Sequence, residues 1–220
     1  MGKRIPLPDG RRVDVDTFIE WRPWLWREAV LEALGDLNGL AGKSVLDLGC
    51  RYGRMTVFFA LCGADAVGVD TYAEGLTRAA EFARQWQVED RTRFIAYDGN
   101  PDALGEGPFD LIFTKSVLWS IPNLAEILEQ IDSALAPNGR IAFVENVRGG
   151  SGVMWLRRNV IHRGRGAYLD RYHGITREQI PLFQRQFDDV MVRRRRFMIY
   201  TITGRKRTTH GSIENHAPCR

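Results

Sequence analysis

Short apolar runs alternate with amphipathic segments between residues 43 and 146. The runs are too short and too uniformly apolar for surface strands, which is typical of strands buried on both faces of a sheet. These candidate strands are Ser44–Leu48, Ala66–Asp70, Arg93–Tyr97, Leu111–Thr114 and Arg140–Glu145. The segments between them have the period of helices and are Arg54–Cys62, Ala73–Gln87 and Leu124–Leu135. The alternation predicts an α/β fold in which helices cover both faces of a mostly parallel sheet.

Turn and strand patterns complete this sheet at its C-terminal side. The third helical segment runs into Ala136-Pro137-Asn138-Gly139, a sequence that stops a helix and favours a turn. Phe187–Arg194 and Phe197–Thr203 have the pattern of two strands joined by a tight turn. They predict an antiparallel C-terminal hairpin that closes the sheet. The polar residues 205–220 are expected to be a disordered tail.

Two regions lie outside the regular alternation. Residues 17–38 are rich in tryptophan and have a helical pattern that Pro23 is expected to interrupt, so residues 1–42 are interpreted as an aromatic helical cap. We expect these aromatic side chains to cover the sheet edge as core, while the alternative that some of them roof a site stays open. Residues 147–186 are interpreted as an insertion that covers a substrate. The glycine-rich residues 149–152 near its start are an expected hinge.

Composition excludes several classes of function. The 220 residues carry a net charge of only +4, and alternate arginines of the cluster Arg193–Arg196 would face opposite sides of a strand. A nucleic-acid partner is therefore not expected. The three cysteines fit no zinc spacing, so we expect no metal and a reducing cytoplasm. No apolar run reaches about 18 residues, and the N-terminus lacks a signal-peptide core, so no membrane association is expected.

The turn after the first candidate strand, Val45–Gly53, is the strongest local signal. A dinucleotide fingerprint needs three glycines, but counting from Gly49 the second and third positions hold Arg51 and Arg54. A phosphate loop is also excluded because no Gly-Lys-Ser/Thr sequence follows. The turn instead offers Asp47 and the start of a helix, whose free amides favour an anionic group such as a carboxylate.

Acidic residues also follow the next two candidate strands. Asp70 ends the second strand, where a carboxylate can accept two hydrogen bonds from a ribose diol. Asp98-Gly99-Asn100 follows the third strand, where a side-chain acceptor and free amides could contact an adenine edge. Three acids at adjacent strand ends predict a cleft for a nucleoside that has a cationic portion.

Taken together, the motifs resemble those of class I S-adenosylmethionine-dependent methyltransferases over about residues 43–146. The segments that carry the resemblance are Val45–Gly53 (first motif), Val67–Asp70 (second motif), Tyr97–Gly99 (adenine contact), Phe109–Pro122 (fourth motif of the small-molecule branch) and Leu135–Arg140 (turn before the fifth strand). The resemblance implies a Rossmann-like sheet of seven strands in the order 3-2-1-4-5-7-6. It also implies S-adenosyl-L-methionine as cofactor and S-adenosyl-L-homocysteine as product.

The resemblance also implies a set of cofactor-binding positions. These are Asp47, Gly49, Arg51, Gly53, Asp70, Thr71, Asp98, Gly99 and Lys115. Arg51 departs from the family because glycine is usual at that position. Its side chain could point to solvent, which we favour, or pair with the cofactor carboxylate. Trp119 also departs, since many relatives carry histidine there, so no catalytic role is carried over to it.

Candidates for the acceptor side come from residue type and position. His173 and His162 could act as a general base if the acceptor is a hydroxyl. The candidate substrate-binding residues are Trp119, Glu145, Tyr168 and Tyr172; for Glu145, near the end of the fifth strand, contact with solvent is an equal alternative.

We therefore expect a methyltransferase domain over residues 43–204 that moves a methyl group to an oxygen or nitrogen of a small molecule, such as a secondary metabolite or sugar derivative. Such a transfer depends mainly on positioning and desolvation. Two alternatives stay open: a methyltransferase that acts on RNA or protein, and a member of the fold that binds the cofactor without methylating.

Overall fold

The chain forms a small N-terminal hairpin and a large sheet covered by helices. The structure, a computed structural model, describes residues 2–97, 104, 106–148, 160, 174–195 and 198–208. The strands are β1 (Arg4–Pro6), β2 (Arg12–Asp14), β3 (Ser44–Leu48), β4 (Asp65–Asp70), β5 (Thr92–Ala96), β6 (Phe109–Lys115), β7 (Leu135–Asn146), β8 (Phe187–Arg195) and β9 (Ile199–Lys206). The α-helices are α1 (Pro23–Leu34), α2 (Arg54–Leu61), α3 (Ala73–Gln85), α4 (Leu124–Ala134) and α5 (Ile180–Gln186).

The predicted sheet is confirmed in both its strands and their order. Seven strands pair in the order β5-β4-β3-β6-β7-β9-β8, with β3 at the centre between β4 and β6. The first five are parallel, and β9 runs antiparallel to both β7 and β8. This is the order 3-2-1-4-5-7-6 that the family resemblance implied. The carboxyl ends of β3, β4, β6 and β7 consequently meet along one edge.

Each face of the sheet has its own hydrophobic core because successive side chains of a strand point to opposite faces. Val45 lies in the core on the side of α1 and α2, and Leu46 in the core on the side of α4. The predicted helices all form, with their C-terminal ends within one or two residues of the expected positions. No helix among the described residues is long and apolar enough to cross a membrane.

Two local predictions are wrong. Pro23 does not interrupt a helix but is the first residue of α1, where its missing N–H costs no hydrogen bond. The residues 136–139 do not form a separate turn between α4 and a strand. The strand β7 already begins at Leu135, and its pairing with β6 is irregular between Phe109 and Leu111.

Residues 2–22 add features that the hydrophobic pattern did not predict. The strands β1 and β2 form an antiparallel hairpin, and a single 3-10 turn at Val15–Thr17 follows it. The segment after this turn, residues 18–22, is called the strap. Its first two residues, Phe18 and Ile19, are buried in the core on the side of α2, and its last two, Trp21 and Arg22, have positive φ angles of 54°. The strap thereby reaches the edge formed by the carboxyl ends of the strands.

The glycine at the start of α2 is required by both conformation and space. Gly53 has φ 68°, and a Cβ at this position would lie 2.6 Å from the Cβ of Ala79. Gly10 has φ 83°, but a Cβ there would meet nothing within 4 Å.

We predict that Gly10→Ala lowers the free energy of unfolding by only about 1–2 kcal/mol, the cost of a left-handed residue. Gly53→Ala should cost clearly more because it adds a clash. Chemical denaturation of the two variants checks this, and equal losses would contradict it.

Candidate functional site

Two adjoining cavities lie at the carboxyl edge of the sheet. The apolar cavity, about 710 Å³, is lined mainly by Leu48, Val69, Tyr97, Val117, Ile121 and Ile127. The charged cavity, about 670 Å³, is lined by Glu20, Asp47, Arg51, Arg54, Lys115 and several aromatic residues. Gly49, Asp70, Ser116 and Val117 belong to both. The edge can therefore hold one elongated ligand whose two ends differ in polarity.

Asp70 stands where the two cavities meet. Its Oδ2 accepts the backbone N–H of Arg51 and its Oδ1 accepts the backbone N–H of Tyr72, each at 2.8 Å. Because a carboxylate oxygen can accept two hydrogen bonds, each oxygen of Asp70 has capacity for one further donor. The carboxylate is therefore fixed in orientation and still able to accept from two neighbouring hydroxyl groups.

Arg51 supports Asp70 through its backbone. Its φ is 50°, and its N–H donates to the carboxylate, which joins the turn after β3 to the end of β4. The side chain is 58% exposed, and its Nη1 lies 3.9 Å from Oε2 of Glu20. Gly49 completes the same turn, and a Cβ there would lie 2.2 Å from Cγ2 of Val117. The middle position of the motif thus needs an amide in a left-handed conformation, which arginine supplies at some conformational cost.

Asp47 is buried beside the turn and is 3% exposed. The Thr56 hydroxyl donates to its Oδ2 at 2.7 Å. Removal from water nevertheless raises the pKa of Asp47 to about 7, although the Thr56 hydrogen bond acts in the opposite direction. A cation that entered the charged cavity would favour the ionised form of this carboxyl group.

Lys115 ends β6 and supplies a cation to the charged cavity. Its Nζ lies 3.4 Å from the carbonyl oxygen of Glu20 and 4.9 Å from the centre of the Trp26 ring. Burial lowers the pKa of Lys115, and the acidic groups of Glu20, Glu145 and Asp47 oppose that effect. The predicted cofactor residues Asp47, Gly49, Arg51 and Lys115 thus line one cavity together.

Other predicted residues take separate places around the edge. Thr71 and Tyr97 line the apolar cavity, and the Tyr97 hydroxyl donates to Oε1 of Gln130 at 3.1 Å. Gly53 lies one residue before α2 as its N-cap and lines neither cavity. Trp119 lines the charged cavity, and its indole Nε1 donates to the carbonyl oxygen of Ser116 at 2.8 Å. An aromatic wall at Trp119 is therefore present, in an orientation that this hydrogen bond fixes.

Glu145 is not in contact with solvent, so that alternative is wrong, and it lines neither of the two cavities. Its side chain is fully buried, and Oε1 accepts the Thr114 hydroxyl at 2.8 Å. The backbone N–H groups of Val117 and Leu118 also donate to the carboxylate, at 3.0 and 3.2 Å. Burial still raises the pKa of Glu145 to about 7. Glu145 therefore shapes the loop after β6, which carries Val117 and Trp119.

Several predicted residues lie outside the described part of the chain. They are Asp98, Gly99, His162, Tyr168, Tyr172 and His173. Most of the expected insertion and residues 209–220 of the expected tail lie outside it as well. The first residues assigned to the tail, Arg205 and Lys206, belong to β9. Among the described residues, no group of three or more His, Cys, Asp or Glu side chains could hold a metal ion.

Glu20, Trp26 and Tyr52 line the charged cavity but were not predicted as site residues. The aromatic pattern of residues 17–38 allowed two readings, core or roof of a site. Trp26 is 1% exposed as core and also contributes to the wall. Trp21 is 50% exposed and lies at the same cavity. The available signal for Glu20 was an acidic residue placed between Ile19 and Trp21 in an otherwise apolar run.

Comparison with known proteins gives the same picture as the geometry. A family model described as "Methyltransferase domain" matches residues 18–186. The chain is 37% identical over 103 residues to a ubiquinone biosynthesis O-methyltransferase of Psychrobacter cryohalolentis; the match covers 46% of this chain and 40% of that relative. An uncharacterised methyltransferase of Synechocystis sp. is 31% identical over 149 residues, which cover 60% of this chain and 68% of that protein.

Solved structures share the fold at low sequence identity. A magnesium protoporphyrin IX methyltransferase from Synechocystis PCC 6803, solved with bound S-adenosylhomocysteine, has a TM-score of 0.59 at 18% identity, covering 80% of this chain and 78% of its own. The [4+2]-cyclase SpnF has a TM-score of 0.61 at 17% identity, covering 81% of this chain and 78% of its own. Since a cyclase shares the architecture, the fold by itself does not specify the reaction.

The buried carboxyl group of Glu145 should make stability depend on pH. Because its pKa is raised in the folded state, the folded protein holds a proton that the unfolded chain releases, and stability falls as pH rises from about 4.5 to about 7. We predict that Glu145→Gln, which does not titrate, removes this contribution. The free energy of unfolding of the wild type, relative to the variant, should fall by about 3 kcal/mol over that interval. Denaturation at pH 4.5 and pH 7.5 measures it, and a constant difference would contradict the assignment.

Proposed function

The chain belongs to the methyltransferase domain family, among the class I S-adenosylmethionine-dependent enzymes, and we propose that it transfers a methyl group from S-adenosylmethionine to a small molecule. The observation that carries this proposal is Asp70, a carboxylate held by two backbone amides at the junction of an apolar and a charged cavity. The chain spans only about 40% of the length of the ubiquinone relative described above. The activity and acceptor are therefore proposed from the site.

The two cavities fit the two ends of this cofactor. The described lining of the apolar cavity includes no basic side chain; it contains Tyr97, aliphatic groups and the carboxylates of Asp70 and Glu126. A flat, uncharged adenine suits this surface, and the free acceptor capacity of Asp70 suits the ribose hydroxyls. The charged cavity has three acids (Glu20, Asp47, Asp70) and three bases (Arg51, Arg54, Lys115), which suits an end that carries charges of both signs.

The protein's contribution to the reaction is binding, orientation and exclusion of water. When bound, S-adenosylmethionine supplies a methyl group that its sulfonium already activates. Asp70 would fix the ribose, and the turn at Gly49 would set the distance to the wall at Val117. Trp119 and Trp21 would bound the acceptor side of the charged cavity. In-line attack requires mainly this positioning, since proximity alone can supply about 7–11 kcal/mol of the barrier.

Oxygen is the acceptor atom that the relatives favour. The Psychrobacter protein is named as an O-methyltransferase of ubiquinone biosynthesis. We extend only the reaction type to this chain, methylation of an oxygen or nitrogen of a small molecule. A hydroxyl acceptor would benefit from a general base, for which His173 and His162 remain predictions.

Incubation with S-adenosylmethionine and a set of small phenols, amines and carboxylic acids, with detection of S-adenosylhomocysteine, would test the activity.

Asp70 gives the first binding prediction. Two charge-assisted hydrogen bonds to a ribose would each contribute about 1.5–3 kcal/mol. Asp70→Ala should therefore weaken the binding of S-adenosylhomocysteine by about 100-fold or more. Asp65→Ala is the matched control because Asp65 lies at the opposite, exposed end of the same strand. Calorimetry measures both variants. Equal affinity in the two would contradict the ribose assignment, and no binding by the wild type would contradict the proposed function.

Asp47 gives a prediction about pH. Its pKa of about 7 means that the carboxyl group is protonated below neutral pH. Because a sulfonium bound beside Asp47 would favour the ionised form, binding in acid would release that proton. The affinity for S-adenosylmethionine should rise from pH 5.5 to 7, by up to about tenfold per pH unit.

The affinity for S-adenosylhomocysteine should depend less on pH, because this ligand lacks the sulfonium charge. In Asp47→Asn the affinity for S-adenosylmethionine should also depend less on pH. Calorimetry at several pH values below 7 makes the comparison. An unchanged pH profile in Asp47→Asn would show that Asp47 does not interact with the charged end of the cofactor.

A further inference from the structure

Glu20 is a largely buried carboxylate, and one of its two oxygens has no hydrogen-bond donor among the described residues. Its side chain is 19% exposed, and its Oε1 is buried without a hydrogen-bond partner among the described residues. Arg51 and Arg54 approach its two oxygens only to 3.9 and 3.8 Å. Both distances exceed those of N–H···O hydrogen bonds. The backbone amide of Tyr52 donates to the Glu20 carboxylate, so Glu20 lies near positive charge while its Oε1 still lacks a donor.

Glu32 shows what two arginines do for a carboxylate of the same exposure. Its side chain is also 19% exposed, but Arg193 and Arg195 donate hydrogen bonds to it at 2.8 and 2.5 Å. These contacts lower the pKa of Glu32, whereas burial raises the pKa of Glu20. The protein therefore supplies hydrogen-bond donors to both oxygens of Glu32 but leaves Oε1 of Glu20 without one. Since an unsatisfied buried carboxylate is costly, the arrangement at Glu20 indicates a donor that the protein itself does not provide.

Glu20 is held in place by the rest of the strap. Phe18 is fully buried, with its ring 5.4 Å from that of Phe58 and 5.0 Å from that of Trp86. Arg54 donates to the carbonyl oxygen of Thr17 at 2.7 Å, and Lys115 approaches the carbonyl oxygen of Glu20 itself. Contacts on both sides therefore fix the backbone that presents this carboxylate to the charged cavity.

We propose that Glu20 accepts hydrogen bonds from the α-ammonium group at the amino-acid end of the bound cofactor. The inference rests on the proposed function and adds a residue of the N-terminal strap to the binding site. With adenine in the apolar cavity and the ribose at Asp70, the amino-acid end lies in the charged cavity, where Glu20 is the carboxylate short of donors. An ammonium group supplies three donors and a complementary charge.

The carboxylate of the same amino-acid end has partners nearby. Lys115 carries the buried cation of this cavity, and its Nζ makes a long hydrogen bond of 3.4 Å to the carbonyl oxygen of Glu20. The indole Nε1 of Trp26 is buried without a hydrogen-bond acceptor among the described residues, and Lys115 lies over the same ring. The ammonium group of the ligand would supply donors to Glu20. Its carboxylate would supply acceptors to Lys115 and to the indole N–H of Trp26.

Three ligands separate the ends of the cofactor. S-adenosylhomocysteine has the complete amino-acid end, its decarboxylated analogue keeps the amine alone, and 5′-methylthioadenosine has neither group. Calorimetry with the full chain would compare the wild type, Glu20→Gln and Glu32→Gln. Glu20→Gln should weaken binding of the first two ligands by about 10- to 100-fold and leave 5′-methylthioadenosine unchanged. Glu32→Gln should leave all three affinities unchanged.

A second measurement separates recognition from folding. Removing a poorly solvated charge should leave the stability of the ligand-free protein equal or higher in Glu20→Gln, so affinity and stability would not fall together. Breaking the hydrogen-bonded pairs in Glu32→Gln should lower stability without any change in affinity.

If the wild type binds S-adenosylhomocysteine and Glu20→Gln loses none of that affinity, the inference is overturned while the proposed function stands. An equal loss for 5′-methylthioadenosine would also overturn it, since that ligand has no ammonium group. If the wild type binds none of the three ligands, both the inference and the proposed function are overturned.

Discussion

The carboxylates at the edge of the sheet must find hydrogen-bond donors, and the loops of the site are arranged by that requirement. Asp70 accepts hydrogen bonds from the backbone amides of Arg51 and Tyr72, and these bonds join the turn after β3 to the turn after β4. Glu145 accepts hydrogen bonds from the backbone amides of Val117 and Leu118, and these bonds hold the loop after β6. A buried acceptor without donors costs about 1–3 kcal/mol or more, so each of these bonds holds a segment of the cavity wall in one position. The two cavities are the space left between loops fixed in this way.

Much of this architecture was readable from the sequence because local periodicity determines it. β3 was predicted with its observed ends, Ser44 and Leu48, since a short apolar run bounded by turn residues favours a buried strand. The order of the strands came from the motif resemblance and the C-terminal hairpin. The positions of Asp47, Gly49, Asp70 and Lys115 at one edge followed from the topology, because the carboxyl ends of parallel strands meet there.

The remainder depends on long-range contacts that leave no local pattern. Glu145 was predicted at a contact surface or in solvent, but the amides that bury it belong to residues nearly 30 positions earlier, at Val117 and Leu118. Glu20 was not singled out because an acid within an aromatic run has no periodic meaning. Arg51 was judged by its side chain, whereas the structural need at that position is an amide with a left-handed φ. In each case the decisive partner is distant in sequence or is backbone.

The contact between Lys115 and Glu20 has a consequence for the order of folding. It joins residues 95 positions apart, one in the strap and one at the end of a central strand. Closing so long a loop carries an entropic cost, and contacts of this separation are favoured to form after local ones. The strap can pack on Phe58 and Trp86 before β6 has been synthesised, but its contact with Lys115 can form only once β6 is in place. A nascent chain can therefore pair β3, β4 and β5 while the Lys115 side of the charged cavity is still missing.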